Sequence, residues 1–468
     1  MRSSNETDAL FAVLRKSASP EVTNAIETLV HEGVDRALCR VNALDFAAKH
    51  GLDEEGVIAA FLHSSRLGIF ELTWNVLCPG CGGVLDSGST LKTVRNDEYT
   101  CRLCAAGYEP TLDEMVEVTF TVRPNVRRIA AHDPQTLPAV DYYSQILWGS
   151  GIDLPDDETL NRAFEEITLG ALELPAGAKA SVSLQAPPGF LIVFDPVVHM
   201  AQFIEVNGES TQERQMLTAV INKEHAPTDR VQIRPGPLRI LFDNRTDVRT
   251  LPGVWIAGEP LHALLGKRRP FLTAKRLLTN QTFRDLFRTE TLDVHQRLKI
   301  TSLTFLFTDL KGSTELYDRV GDLVAYDLVE AHFGVLHEIV GSEAGAVVKT
   351  IGDAVMATFP TPDRAIAAAL RMREAMNNLG ADLILKIGIH EGPCLAVILN
   401  ERQDFFGQTV NIASRVQGLA TSNSIFATGP VVGYSESARL LERRGIIPSR
   451  REHTLPGIAD QLAVFEIP

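Results

Sequence analysis

Apolar residues in the first seventy positions recur at helical intervals. Leu44, Phe46, Ala47 and Ala48 form one short stripe and Val57-Ile58-Ala59-Ala60-Phe61-Leu62 a second, either side of the turn His50-Gly51-Leu52-Asp53. The strand-like run Gly68-Ile69-Phe70-Glu71-Leu72-Thr73-Trp74 follows. Two short helices around a glycine turn and then a strand predict a winged-helix-like domain over residues 1–75, with a plain helical domain as the alternative. From Glu117 to Ile256 the period shortens to two. Val118-Thr119-Phe120-Thr121-Val122 alternates, and further strand-like stretches are Ala180–Leu184, Phe190–Phe194, Gln202–Val206 and Leu238–Phe242. Turns such as Pro187-Pro188-Gly189 and Pro235-Gly236-Pro237 separate them. This predicts an antiparallel, sandwich-like β domain over 117–258, with a helical insertion near Asp157–Thr168. Over 259–300 the helical pattern returns as a connector. Leu272, Leu277, Leu278, Phe283, Leu286 and Phe287 supply its apolar stripe, and Lys267-Arg268-Arg269, Lys275-Arg276 and Arg284 read as its solvated face.

Residues 301–468 alternate strands with helices. Leu303–Phe307 reads as a buried strand and Ser313–Val340 as a helix. Ala346–Phe359 reads as a hairpin turning at Ile351-Gly352-Asp353, and a helix follows to about Asn378. Leu383–His390 and Leu395–Leu399 form a second strand pair, followed by helix Gly407–Leu419, strand Ser424–Thr428 and two closing strands. That order predicts a ferredoxin-like, largely antiparallel sheet covered by helices. The chain as a whole is expected to be multidomain α+β.

Its 468 residues exceed one ordinary core. No apolar run reaches the roughly 18 residues a membrane span needs, and the N-terminus lacks a secretory signal, so the expectation is a cytoplasmic protein without a membrane partner. The net charge of −14 disfavours nucleic acid and anionic lipid as partners. Residues 1–120 carry ten Lys plus Arg against eighteen Asp plus Glu, so a winged-helix domain here is expected to meet protein and not DNA.

Four of the six cysteines are paired in sequence, as Cys78-Pro-Gly-Cys81 and Cys101-Arg-Leu-Cys104. Two tight Cys-x2-Cys turns at this separation are a zinc-ribbon spacing, which predicts a structural Zn²⁺ held by four thiolates within residues 76–116. Cys39 and Cys394 stand alone and read as small buried hydrophobes. In the β domain, His199 has no motif spacing and reads as a surface or loop residue.

In the last segment, polar residues gather at the ends of elements. Asp309 follows a buried strand and precedes Lys311-Gly312-Ser313-Thr314, whose backbone N–H groups could meet phosphate oxygens. Asp353 sits at the hairpin tip, and two such carboxylates, if they meet, could hold a Mg²⁺ pair on a triphosphate. Asn411 and Arg415 lie four apart on a helix and so share a face.

Three blocks occur in order: Phe307-Thr308-Asp309-Leu310-Lys311-Gly312-Ser313-Thr314, then Lys349-Thr350-Ile351-Gly352-Asp353, then Asp404-Phe405-Phe406-Gly407-Gln408-Thr409-Val410-Asn411-Ile412-Ala413-Ser414-Arg415. Together they resemble the class III adenylate and guanylate cyclase family over Ser302–Pro468. The upstream four-cysteine region resembles uncharacterised regions attached to some bacterial cyclases. The cyclase resemblance implies that Asp309, Asp353 and the carbonyl of Leu310 bind two Mg²⁺ or Mn²⁺ ions. It further implies that Lys349 and Asp404 recognise the purine, Asn411 orients the ribose and Arg415 stabilises charge on the α-phosphate. It implies a homodimer whose two sites each draw on both copies. Lys349 has only donors and ionised Asp404 only acceptors, which matches N1 and the 6-amino group of adenine, so ATP is the expected substrate and cyclic AMP the product. Guanylate cyclase activity, or a weak cyclase-like dimerisation or sensor module, are the alternatives. The loop Thr454-Leu455-Pro456-Gly457-Ile458 lacks the basic residue many relatives use on the triphosphate; Lys311 or Arg450-Arg451 are its candidate replacements. The regulatory ligand or protein of the N-terminal region is not legible.

Overall fold

A computed structural model describes residues 4–222, 230–288, 292–293, 295–312, 318–378, 384–399, 401–420, 424–453 and 462–468. They fall into two compact units. The first comprises Met1–Ser89, Asp97–Pro110 and Glu117–Leu272, and the second Thr90–Asn96, Thr111–Val116 and Thr273–Pro468.

The first unit begins with helices Ser4–Leu14, Pro20–Glu32, Ala43–His50 and Glu54–Arg66. Their starts are set by side chains that accept from otherwise unpaired backbone N–H groups: Ser19 from Val22, Asn42 from Leu44 and Asp45, and Asp53 from Gly56. Strand Phe70–Leu77 then pairs with Val84–Gly88 on one side and Val116–Val122 on the other. Phe61 ties helices to sheet, with its ring 5.4 Å from Phe46, 5.2 Å from Phe70 and 5.0 Å from Phe120.

Two further sheets follow in this unit. One runs Val231–Ile233, Met200–Val206, Gly189–Asp195, Gly253–Ala257, Thr168–Ala171, and the other Gln215–Ile221, Gly236–Asn244, Lys179–Ala186. They share one core, where Leu191, Val193 and Ile204 of the first meet Ala219, Ile240 and Phe242 of the second. The expected all-antiparallel pairing is corrected: Gln215–Ile221 runs parallel to Gly236–Asn244, and Val231–Ile233 parallel to Met200–Val206. Alternation along a strand repeats every two residues whichever way its neighbour runs, so it carries no information on direction. A second core joins Tyr143, Trp148, Phe164, Phe194 and Trp255 to Cys78, Cys81 and Cys101.

The second unit is built on an eight-stranded sheet. Its order is Ala346–Ile351, Ala354–Phe359, Leu298–Lys311, Ile384–Leu399, Ile425–Thr428, Leu462–Ile467 and Ser449–His453, with Arg402–Phe406 also paired to Ile384–Leu399. All described pairings are antiparallel except Ile384–Leu399 with Ile425–Thr428. Helices Asp322–Ser342 and Pro362–Asn378 cover one face through a core that includes Leu306, Leu310, Leu336, Ile366 and Ile425. Helix Gln408–Gly418 covers the other through Ile412, Val416 and Phe426, since Phe426 alternates with Ile425. It lies so close that a Cβ on Gly388 would stand 2.1 Å from the backbone nitrogen of Gln417, so only glycine fits there.

Three expectations change in this unit. Leu383–His390 and Leu395–Leu399 are not two strands: Ile384–Leu399 is continuous, and Glu391-Gly392-Pro393, which resembles a turn, remains in the sheet. Ile300 pairs with Cys394 and Leu303 with Gly392, so a bulge in the partner strand lies opposite Pro393, which has no N–H to offer. The single helix expected over Ser313–Val340 is interrupted: residues 318–320 are helical, Gly321 at φ +79° breaks the run, and helix Asp322–Ser342 follows. The first strand runs on to Lys311, so Asp309 lies within it.

Candidate active site

Asp309 is held by pairing on both sides of its strand. Its register partner Lys386 reaches across, with Nζ 3.7 Å from Oδ2 of Asp309. On the other side Thr308 pairs with Val355, which brings Asp309 beside the turn Gly352-Asp353 that opens the neighbouring strand. Alternation along the strand sets Asp309 on the same face as Phe305 and Phe307, opposite Leu306 and Leu310. The Leu310 side chain is buried in the core, so only its backbone is available to a ligand. Asp353 carries a buried carboxylate oxygen, Oδ2, with no hydrogen-bond partner. A buried carboxylate oxygen without a donor is costly unless a cation meets it, so Asp353 fits a divalent ion.

His332, fully buried on helix Asp322–Ser342, also has a ring nitrogen without a partner, Nε2. Burial pulls its pKa down to about 4, against the pull of the Asp353 charge. It is therefore neutral near Asp353 at neutral pH.

Lys349 and Asp404 come from strands Ala346–Ile351 and Arg402–Phe406 and meet directly, Nζ to Oδ2 at 2.5 Å. Asp404 is buried and its second oxygen accepts from the backbone N–H of Phe405 at 2.8 Å, while Lys349 is half-exposed. The pair thus has a fixed acid and a more accessible base.

Helix Gln408–Gly418 buries Thr409, Ile412, Ala413 and Val416, which leaves Asn411 and Arg415 together on its exposed side. The Thr409 hydroxyl anchors the first turn by donating to the Pro393 carbonyl at 2.5 Å. Lys311 and Gly312 are exposed, with Gly312 at φ +79°. Ser313 and Thr314 lie outside the described residues, as does the loop Thr454–Ile458. Two residues near these sites were not singled out from sequence as contributors. Lys386 shows only as a charge within an apolar strand, and Arg284, read as part of a solvated face, turns inward onto strands Ala346–Ile351 and Arg402–Phe406, with Nη1 out of contact with solvent.

In the first unit, the four paired cysteines converge. Cys78 Sγ is 3.7 Å from Cys104 Sγ, Cys81 Sγ is 3.7 Å from Cys101 Sγ, and all four sulfurs lie within 4.8 Å of one another. A tetrahedral ion with bonds of about 2.3 Å to sulfur spaces its ligands by about 3.8 Å, so the set fits Zn²⁺. Gly80 makes room for it, since a Cβ there would stand 3.0 Å from Cys104 Sγ. His199 stands in the turn between strands Gly189–Asp195 and Met200–Val206 and is half-buried there. Its Nε2 is buried without a partner, and burial lowers its pKa to about 4. Cys39 and Cys394 are raised by burial, Cys394 to about 12, as inert thiols.

Comparison with known proteins decides the family. The model described as a family of unknown function (DUF5939) matches residues 4–285, more than half of the chain, and that for the adenylate and guanylate cyclase catalytic domain matches 296–454. The chain belongs to the DUF5939 family and carries a class III adenylate/guanylate cyclase catalytic domain. This cyclase domain is 32% identical over 123 residues to an adenylate cyclase of Streptomyces griseus, covering 26% of this chain and 30% of the relative. It is 29% identical over 140 residues to guanylate cyclase 32E of Drosophila melanogaster, covering 26% of this chain and 12% of the relative. The chain therefore spans about a third or less of the length of these curated relatives. Among solved structures, the adenylyl cyclase CyaB from P. aeruginosa aligns with a TM-score of 0.33 and 20% identity, over 37% of this chain and 96% of that one. No helix among the described residues is long and apolar enough to cross a membrane.

Proposed function

We propose that the DUF5939 chain is an adenylate cyclase that converts ATP to 3′,5′-cyclic AMP and pyrophosphate in a homodimer, under the control of its N-terminal unit. The observation that carries the choice of ATP is the Lys349–Asp404 pair. Opened onto a base, Lys349 donates to N1 and Asp404 accepts from the 6-amino group of adenine. Guanine presents the reverse pattern at both positions and would leave a buried acceptor facing an acceptor.

Asp309, Asp353 and the Leu310 carbonyl would hold two Mg²⁺ or Mn²⁺ ions, which supply charge that acidifies the ribose 3′-hydroxyl and neutralises the triphosphate. Lys386 balances Asp309 and shares its carboxylate with the incoming cation. Asn411 orients the ribose so that its 3′-oxygen lies in line with the α-phosphorus, and Arg415 donates to the α-phosphate oxygens as they gain charge. Lys311 and Gly312, both exposed, would meet the β- and γ-phosphates.

Two features support a shared site. Asn411 and Arg415 point outward from the helix, and large apolar residues next to the site are exposed: Ile351 beside the Asp353 turn, and Phe406 beside Asp404. Exposed apolar groups flanking a polar site are what a second copy would cover. In the first unit, Cys78, Cys81, Cys101 and Cys104 hold a structural Zn²⁺.

The test is product formation by the purified chain with ATP or GTP and Mg²⁺ or Mn²⁺, with Asp353→Ala beside it. Cyclic AMP from ATP, at least about a hundredfold less in the variant, is expected. No cyclic AMP with either metal would defeat the proposal, and equal product from the variant would remove Asp353 from the metal site.

A further inference from the structure

The last described helix before the cyclase strands, Gln281–Leu286, lies at the end of the part of the chain matched by the DUF5939 family model, which reaches residue 285, yet it belongs to the second compact unit. Asn280 caps it by accepting from Phe283, and Phe283 and Phe287 stack 5.2 Å apart along one side. Arg284 projects from it into the cyclase sheet. Its Nη2 donates to the carbonyl of Gln403 at 3.0 Å and to that of Val348 at 3.4 Å. These two carbonyls belong to the residues immediately before Asp404 and Lys349. One guanidinium nitrogen therefore bridges the two strands that present the base-recognising pair, one residue upstream of each member.

The rest of the helix strengthens this link. Gln281 Oε1 accepts from the backbone N–H of Val347 at 2.8 Å, tying the same helix to the Lys349 strand a second time. The Nη1 group of Arg284 is buried with no hydrogen-bond partner, so the side chain is not arranged to satisfy all its own donors. The carboxylates of Asp404 and Asp285 attract the guanidinium, against the burial that lowers its pKa. The N–H bonds of Nη2 are fixed in the guanidinium plane, which suits the joining of two acceptors in a way a lysine ammonium on a flexible stem does not.

We infer that Arg284 is a positioning residue for base selection: by clamping Val348 to Gln403 it fixes the separation and direction of Lys349 and Asp404, and so the preference between purines. The inference rests on the reading of Lys349 and Asp404 as the pair that meets the base. The clamp also gives the N-terminal unit a covalent route to base recognition, because the chain passes from that unit directly into the segment that bears Arg284.

The test uses the full chain and separates base selection from turnover. Binding of 3′-deoxy-ATP and 3′-deoxy-GTP, which cannot cyclise, is measured by calorimetry for the parent, Arg284→Ala and Arg284→Lys, with thermal unfolding followed in parallel. The ratio of the two affinities is expected to fall at least fivefold in Arg284→Ala and to recover in part in Arg284→Lys, which keeps the charge and most of the reach. With ATP as substrate, KM is expected to rise about tenfold while kcat stays within about threefold, the split expected for lost base binding. If Arg284→Ala does not fold, Arg284→Lys decides, with a ratio between a half and a fifth of the parent's expected. An affinity ratio unchanged in the folded variants, or an equal loss for both nucleotides, would overturn the inference. A parent that prefers the guanine nucleotide would instead defeat the adenylate reading, and the clamp would still be judged by whether the ratio moves.

Discussion

The sulfurs of Cys78, Cys81, Cys101 and Cys104 and the carboxylates of Asp309 and Asp353 are both candidate metal ligands, and the chain surrounds them differently. The sulfurs come from two turns of one unit, match a tetrahedron among themselves, and are packed into a core with Trp148, Phe164 and Trp255. Nothing further is needed to complete that coordination, which is the mark of a structural site. The carboxylates sit near the end of a central strand and at a turn, one oxygen orphaned and one held near Lys386, while the residues expected to work with them, Asn411 and Arg415, look outward from a separate helix. A catalytic centre has to stay open to substrate, and here the open side is also where a second copy would fit. The contrast separates a ligand set suited to holding a fold from one suited to acting on a substrate.

The largest effect expected from breaking this contrast is on the closed site. Cys101→Ser should remove the bound zinc and lower the stability of the first unit by about 3 kcal/mol or more, since structural zinc contributes on the order of 10 kcal/mol to such folds. Metal analysis with denaturant unfolding checks this, and a zinc content equal to the parent's would contradict it. A smaller effect is expected where the open site is disturbed without touching a ligand. Gly388→Ala forces a methyl against the backbone of Gln417 and should displace the helix that carries Asn411 and Arg415. Overpacking of this kind costs about 1–3 kcal/mol, and cyclic AMP formation should fall about tenfold with zinc content unchanged. Activity equal to the parent's would mean that the placement of this helix is not critical.

How much of this was legible beforehand depends on sequence distance. Asp309, Lys349, Asp353 and Asp404 stand in short blocks whose order alone identified the cyclase domain, and both cysteine pairs are local turns. Arg284 was not legible. Its partners lie 64 and 119 residues away, and its own surroundings, a basic and apolar helix, resemble any solvated connector. Lys386 was hidden for the same reason, since its role depends on a strand register with Asp309. Gly392-Pro393 resembles a turn locally and predicts two strands where Ile384–Leu399 is one, because a bulge in the neighbouring strand absorbs the proline. Strand direction in the β-rich region has no local signature at all, and the two parallel pairings there emerge only from the fold.

The central claim is that one catalytic site takes its metal carboxylates from one copy and its ribose and phosphate contacts from another. Mixing Asp353→Ala with Arg415→Ala and measuring cyclic AMP made from ATP tests it most directly. Each variant alone should be at least about a hundredfold below the parent. In an equal mixture half the dimers carry one copy of each, with one of two sites intact, so activity should return to about a quarter of the parent's. A mixture no more active than the two variants measured separately, beside an active parent, would contradict the shared site.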